Sequence, residues 1–344
     1  MATTSWRNRK TLILSRTDMM GLLTPTEYVD CVEMAFRRHG EGRCYLEPKG
    51  HIVLDKYPGE WEVMPSYIEA PVDGVAEAAA CKWVSIRENN RAKFDLPTVF
   101  SILIYTEPET GFPLAIVDGS YHTMMRTGAS AAASLRWMAR KNSKVLALVG
   151  AGDVGIGALR TCATVFDWDE VRVWSRGRDT LDRFMESEES RHPDLTIKPS
   201  TNIEEVVPGA DVVVTMTTGG DVVVRDEHVS EGMHIAALGS DLAGNQELDG
   251  AIAKRARIFV DDIRQCRTDG EINMPLANGD ITEADIAGEI GEIISGKKDG
   301  RTSETEITLF DSTGIAIQDS ATVPLEYQRA MAAGVGVEKK MIST

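Results

Sequence analysis

Lys144-Val145-Leu146-Ala147-Leu148-Val149 runs directly into Gly150-Ala151-Gly152-Asp153-Val154-Gly155. A short apolar run bounded by glycine suits a strand buried on both faces, as in a parallel sheet. Residues 154–166 follow with Ile156, Leu159, Cys162 and Val165 at helical spacing. The six residues between form a complete G-x-G-x-x-G, and each glycine has a physical task. Gly150 allows the tight turn, Gly152 lets a pyrophosphate approach the backbone, and Gly155 lets the helix pack on the strand. Ala151, Asp153 and Val154 complete a loop whose phosphates would meet the N–H groups and dipole of a helix N-terminus. A glycine-rich turn without a ligand is the alternative. The strand–turn–helix context, with a second strand about 20 residues on, favours a dinucleotide.

Outward from this point, short apolar runs alternate with helical patterns. Residues 170–174, 195–198, 211–217, 234–238 and 258–262 read as strands, and 179–190 as a helix. Strand, helix, strand in sequence implies an α/β fold with a Rossmann-type doubly wound parallel sheet. The first third differs. An amphipathic helix over 25–38 precedes strands at 51–54, 61–64, 78–84 and 98–105, and 99–118 reads as a hairpin of an antiparallel sheet. A long helix over 121–140 then crosses into the nucleotide segment, and 315–333 is helical again. The expected organisation is a nucleotide domain at 137–312, inserted into a discontinuous α+β domain made of 1–136 and 313–344.

The end of the second nucleotide strand bears on the cofactor. NAD enzymes usually place an acid there for the ribose 2′-hydroxyl. This chain reads Trp174-Ser175-Arg176-Gly177-Arg178. A hydroxyl and guanidinium groups can hydrogen-bond a 2′-phosphate that a carboxylate would repel. Ser175 and Arg176 therefore predict NADP(H), with NAD(H) as the alternative because Asp179 is near; Arg176 and Arg178 as solvated loop charges is the plainer reading.

Composition narrows the class. With 37 basic against 53 acidic residues the net charge is −16, which disfavours nucleic acid, whose phosphates need a basic footprint. No run of about 18 uncharged apolar residues suggests a membrane span. Arg7, Arg9 and Lys10 near the N-terminus precede no apolar core of a signal peptide. Five scattered cysteines without a C-x-x-C read as reduced thiols of a cytoplasmic protein. The six histidines show no ligand spacing, so no metal is expected.

Several motifs in order resemble the ornithine cyclodeaminase/μ-crystallin family. They are Leu96-Pro97-Thr98, Glu109-Thr110-Gly111-Phe112-Pro113-Leu114, Arg126-Thr127-Gly128-Ala129, the glycine turn, Gly239-Ser240-Asp241, Gln246-Glu247-Leu248-Asp249, Gly270-Glu271-Ile272-Asn273 and Phe310-Asp311-Ser312-Thr313-Gly314. The resemblance covers about residues 22–336. It implies an inserted nucleotide domain and a homodimer closed through the N-terminal sheets. It also implies a substrate from the small amino or imino acids. Thr127, Thr215, Met216, Thr217, Gly239, Ser312 and Gly314 join the glycine turn as expected cofactor contacts.

An amino or imino acid presents a carboxylate, so its site needs fixed cations. Arg126, early in the crossing helix, can grip it through two parallel bonds. Lys82 interrupts an apolar strand, so it either snorkels to water or serves a site; the resemblance implies a carboxylate-binding or proton-donating lysine there. Lys49 matches a third basic position that is Arg in some members. Asp241 follows a strand at the sheet edge that faces ligands. Taken alone it is equally a loop or cap aspartate, whereas the resemblance implies the acid/base at the substrate nitrogen. Glu62 matches the acid that contacts a distal amino group in cyclodeaminases, against an outward-facing strand residue. His122 could line the site, though a structural histidine at a helix start is the plainer reading.

Three functions remain. The first is an NAD(P)-dependent amino-acid dehydrogenase or imine reductase, favoured by Ser175 and Arg176. The second is an ornithine or lysine cyclodeaminase with a recycled NAD, favoured by Glu62. The third is a μ-crystallin-like binding protein, which retention of Lys82, Arg126 and Asp241 together disfavours.

Overall fold

The computed structural model describes residues 8–69, 77–87, 89–218 and 220–342. Arg7, part of the N-terminal reading, lies outside them. The chain divides into two compact units. One comprises the described parts of Met1–Glu27, Arg43–Thr123 and Ala316–Thr344; the other comprises those of Tyr28–Gly42 and Met124–Ile315.

The second unit is built on an eight-stranded sheet, parallel throughout. From edge to edge it runs Ile197–Ser200, Glu170–Trp174, Val145–Val149, Val212–Thr215, His234–Ala237, Ile307–Asp311, Ala256–Val260 and Ile286–Glu289. Val149, Val213, Ile235, Val260 and Leu309 belong to one buried cluster, the burial that a parallel sheet demands. Register aligns Val149 with Thr215, Thr215 with Ala237, and Ala237 with Asp311. The chain therefore leaves four adjacent strands side by side, at Gly150, Met216, Leu238 and Ser312.

Two expectations change here. No strand is expected at Ile307–Asp311, yet it lies inside the sheet with every residue buried. Thr308 disguises it: this polar residue interrupts the apolar run, and its hydroxyl is satisfied by His234 Nδ1 at 2.9 Å and Met138 O at 3.1 Å. The helix expected over 154–166 ends at Cys162. Trp168 Nε1 donates to Cys162 O at 2.9 Å, satisfying a carbonyl at the helix end.

The first unit carries its own eight-stranded sheet. Its order is Val337–Lys339, Thr11–Leu14, Pro113–Asp118, Val99–Thr106, Ala78–Ile86, Tyr57–Ile68 and Cys44–Leu46, with Gly50–Leu54 also on Tyr57–Ile68. The expected hairpin joins Val99–Thr106 to Pro113–Asp118. The sheet is mixed rather than antiparallel, because Thr11–Leu14 pairs parallel to Pro113–Asp118. Those strands are far apart in sequence, so no hairpin dictates their direction.

Alternation along Tyr57–Ile68 buries Glu60, Glu62, Met64, Ser66 and Ile68 on one face. The helix Ala316–Ala333 packs there: Met64 and Val84 cluster with Ala316, and Ser66 Oγ donates to Ala316 O at 2.8 Å. The opposite face leaves Trp83, Ile102 and Ile104 exposed. Among the described residues no helix is long and apolar enough to cross a membrane.

Candidate functional site

The glycine turn has the form its sequence demands. Gly150 sits at φ +132°, and a Cβ there would lie 2.7 Å from Met216 O. A Cβ on Gly155 would lie 2.3 Å from Gly150 O, so the helix Asp153–Cys162 starts hard against the turn. Gly152 is different, since among the described residues no atom other than those of its chain neighbours lies within 4 Å of a Cβ built there. The first and third glycines are required by the protein's own packing. The middle one faces open space at a helix N-terminus, the shape that an approaching pyrophosphate requires. Sequence reading passed over the close approach next door: a Cβ on Gly128 would meet Gly157 C at 2.3 Å. This brings the helices Gly119–Met138 and Asp153–Cys162 nearly into backbone contact.

A buried carboxylate organises the neighbouring strand ends. Glu247 accepts from Thr215 Oγ1 at 2.6 Å, Thr217 N at 2.6 Å and Gly239 N at 2.9 Å. Thr215 is fully buried with its hydroxyl committed to Glu247, so it acts by fixing that acid. Met216 is also buried, whereas Thr217 is partly exposed. Glu271 in turn accepts from the amides of Glu247 and Leu248. Burial pushes both carboxyls above their usual range, with the charge of Glu247 adding to the shift at Glu271 and hydrogen-bond donors opposing it. Glu247 and Glu271 stand in motifs noted in the sequence, but neither was singled out.

A second carboxylate performs the same task at Ser312 and Gly314. Asp261 Oδ2 accepts from Ser312 Oγ at 2.8 Å and Gly314 N at 2.9 Å. Gly314 has φ +77°, and a Cβ there would lie 2.6 Å from Nη1 of Arg126. Arg126, only 5% exposed, thus lies on a glycine that must remain one. Thr127 beside it is partly exposed. Asp241 is half-buried just beyond the strand His234–Ala237, after Ser240, whose hydroxyl is held by Asn245 O at 3.0 Å and Asp269 O at 3.1 Å.

Ser175 leaves the strand Glu170–Trp174 with its amide 3.4 Å from Ser200 O. Arg176 is 77% exposed and bonds Asp221 at 3.1 Å. Arg178 opens the next helix and pairs with Asp182 at 3.0 Å.

In the first unit Lys82 does not snorkel. It is 1% exposed, and its ammonium lies 3.0 Å from each oxygen of Asp319. Asp319 Oδ1 is also 3.2 Å from Nε2 of His122, whose Nδ1 lies 2.8 Å from Glu326 Oε2. Burial disfavours the imidazolium, but these two carboxylates outweigh it and raise His122 to about 9. Sequence reading missed Asp319 and Glu326; their i, i+7 spacing in a helix was the available signal.

Lys49 and Glu62 come together at 3.7 Å, both side chains buried. The outward-facing alternative for Glu62 is therefore removed, since it is 3% exposed. Register across two strands places His51 opposite Glu62, so ligand atoms of His51, Glu60 and Glu62 lie within 4.8 Å of one another, a grouping that could hold a metal ion. Linear spacing cannot reveal such a cross-strand group. His51 Nδ1 bonds Glu60 Oε2 at 2.7 Å, and Lys49 already supplies positive charge beside Glu62.

The model of the ornithine cyclodeaminase/mu-crystallin family matches residues 9–334. The chain belongs to this family. It is 38% identical over 331 residues to the alanine dehydrogenase of Archaeoglobus fulgidus, covering 96% of this chain and 98% of that protein. Among solved structures, an archaeal alanine dehydrogenase dimer with bound NAD superposes with a TM-score of 0.89 at 38% identity, over 97% of this chain and all of that one. The Δ1-pyrroline-2-carboxylate reductase of Thermococcus litoralis, in complex with NADH and L-proline, gives 0.90 at 32% identity over 95% of this chain and 99% of the other.

Proposed function

We propose that the chain is an amino-acid dehydrogenase or imine reductase that prefers NADP(H). It is a nicotinamide-dependent oxidoreductase moving hydride between the cofactor and the α-carbon of a small amino or imino acid. The observation that carries the reading is the open space over Gly152 at the head of the helix Asp153–Cys162, in a chain whose full-length relatives are amino- and imino-acid oxidoreductases.

In this reading residues 137–312 hold the dinucleotide, through the Gly150–Gly155 turn with Met216, Thr217, Gly239 and Ser312, and Thr127 and Gly314 add contacts from just outside that segment. Residues 1–136 and 313–344 supply substrate binding and dimerisation. The nicotinamide, when bound, supplies or accepts the hydride. Arg126 grips the substrate carboxylate as a planar fork. Lys82 adds a second cation, and Asp241 holds or delivers the proton at the substrate nitrogen. Ser175 and Arg176 favour a 2′-phosphate, because no carboxylate of the chain follows Trp174 directly. The exposed apolar face around Trp83, Ile102 and Ile104 supports a homodimer. Five free cysteines agree with a cytoplasmic setting.

The test follows the near-ultraviolet absorbance of reduced nicotinamide with NADPH and then NADH, against pyruvate plus ammonia, pyruvate plus methylamine, and Δ1-pyrroline-2-carboxylate. Net oxidation faster with NADPH supports the reading. The burial of Glu62 favours a second one, a cyclodeaminase acting on a diamino acid. Proline and ammonia from ornithine, without net change in cofactor, would select it.

A further inference from the structure

Lys82, Asp319, His122 and Glu326 form an unbroken line of alternating charge within one unit, each residue no more than 1% exposed. Three elements contribute: the strand Ala78–Ile86, the start of the helix Gly119–Met138, and the helix Ala316–Ala333. Asp319 and Glu326 stand two turns apart on one helix, so both face the imidazole.

Counting protons fixes the state of the line. A carboxylate paired with Lys82 is ionised and can only accept. His122 faces an oxygen of Asp319 through Nε2 and an oxygen of Glu326 through Nδ1. A neutral imidazole has one N–H, so one of those contacts would set a lone pair against a carboxylate oxygen. With Glu326 ionised, as Asp319 is, both contacts are satisfied only by the imidazolium. The groups facing it are these two acids from Ala316–Ala333, with Lys82 beyond Asp319 on the strand; the neighbouring Cys81 lies on the other face of the sheet, with Pro65 and Ile104. From Tyr57–Ile68 the same helix meets the uncharged Ser66 hydroxyl, 2.7 Å from Ser320 Oγ. Tyr327, next to Glu326, turns to Tyr105.

We propose that His122 and Glu326 are positioning residues for Lys82: Glu326 keeps His122 doubly protonated, and the Nε2–H then fixes Asp319 in the orientation that holds the Lys82 ammonium. This rests on the reading of Lys82 as a substrate-binding residue. Neither His122 nor Glu326 touches substrate; each acts through Asp319. When His122 loses its proton, its Nε2 lone pair turns on Asp319 Oδ1 and loosens the lysine.

The experiment has two arms. Nitrogen-15 spectra of the histidine-labelled full chain, with H122N for assignment, report the charge of His122 without reference to activity. The pH profile of kcat/KM with Δ1-pyrroline-2-carboxylate, or with pyruvate plus ammonia, reports its consequence. A doubly protonated His122 at neutral pH is expected. E326Q should lower the alkaline limb of kcat/KM by about 1 pH unit, and E326D should restore it. A neutral His122 at neutral pH overturns the proposal. So does an E326Q variant whose kcat falls equally at every pH, which is what a merely structural role predicts. K82M, with K82R as the second variant should K82M not fold, separates the two readings. If kcat/KM survives both while His122 remains charged, Lys82 is no part of the substrate site and the positioning role falls with it. If K82M abolishes activity and E326Q leaves the limb in place, only the positioning role fails.

Discussion

A methyl group on Gly239 would sit 2.4 Å from Cδ of Glu247, whose Oε2 accepts the Gly239 amide at 2.9 Å. The glycine is therefore dictated by an acid eight residues on, and that acid also holds Thr215 and Thr217. G239A should displace Glu247 and cost about 2 kcal/mol through overpacking. E247Q should cost about 2 kcal/mol as well, because its amide nitrogen must face a buried donor. Chemical denaturation measures both, and dinucleotide affinity should fall with them.

The three glycines of the turn should separate by experiment. G150A and G155A strike backbone oxygens of the protein itself and should lose stability. G152A meets no atom of the described residues within 4 Å beyond its chain neighbours, so its stability should stay within about 0.5 kcal/mol of the parent. Its affinity for the dinucleotide should nevertheless fall sharply, measured by titration calorimetry. Unchanged affinity in G152A would remove the pyrophosphate from that space.

Arg176 tests the cofactor preference. Its side chain is mostly exposed and pairs with an equally exposed Asp221, an interaction of small value. R176A should melt like the parent. If the 2′-phosphate binds there, KM for NADPH should rise about tenfold, the scale of one hydrogen bond to a charged group, while KM for NADH stays put.

Lys82 shows how a buried ion pair differs. Removing it in K82M leaves Asp319 buried without its ammonium, and breaking such a pair costs about 3–5 kcal/mol. The double variant K82M/D319N removes both charges and should recover part of that loss. Paired denaturation curves for the two variants decide the matter. Equal stability would mean that Asp319 without the Lys82 ammonium carries no penalty.

How far the sequence could be read depended on whether the information was local. The glycine turn is a local motif, and its packing matches the task assigned to each glycine. The strand Ile307–Asp311 escaped because a buried Thr308 broke the apolar run, and its partners His234 and Met138 are remote in sequence. Asp319 and Glu326 escaped for a related reason. Every residue from Ala316 to Pro324 is buried, so this half of the helix has no exposed face against which a buried acid stands out. Lys82 and His122, arriving from other elements, give those acids their charged partners. The pairing of Lys49 with Glu62, and of His51 with Glu60, likewise depends on strand register, which periodicity does not give.

Two buried histidines give the last prediction, with opposite signs. His122 is raised to about 9, burial being outweighed by Glu326 and Asp319. Between the ordinary value near 6.5 and about 9 the folded form holds a proton that the unfolded chain has lost. The stability it contributes is complete below about 6.5 and disappears as pH rises through about 9, a change of about 3 kcal/mol. His234 is lowered to about 3, by burial first and the Arg301 charge second. Its neutral ring sits between Ser134 Oγ and Thr308 Oγ1. The stability linked to His234 is complete above about 6.5 and is lost as pH falls toward about 3. Denaturation curves across this range should show an alkaline decline that H122N lacks and an acid decline that H234N moderates. An alkaline slope identical in parent and H122N would mean that His122 is not charged in the folded protein.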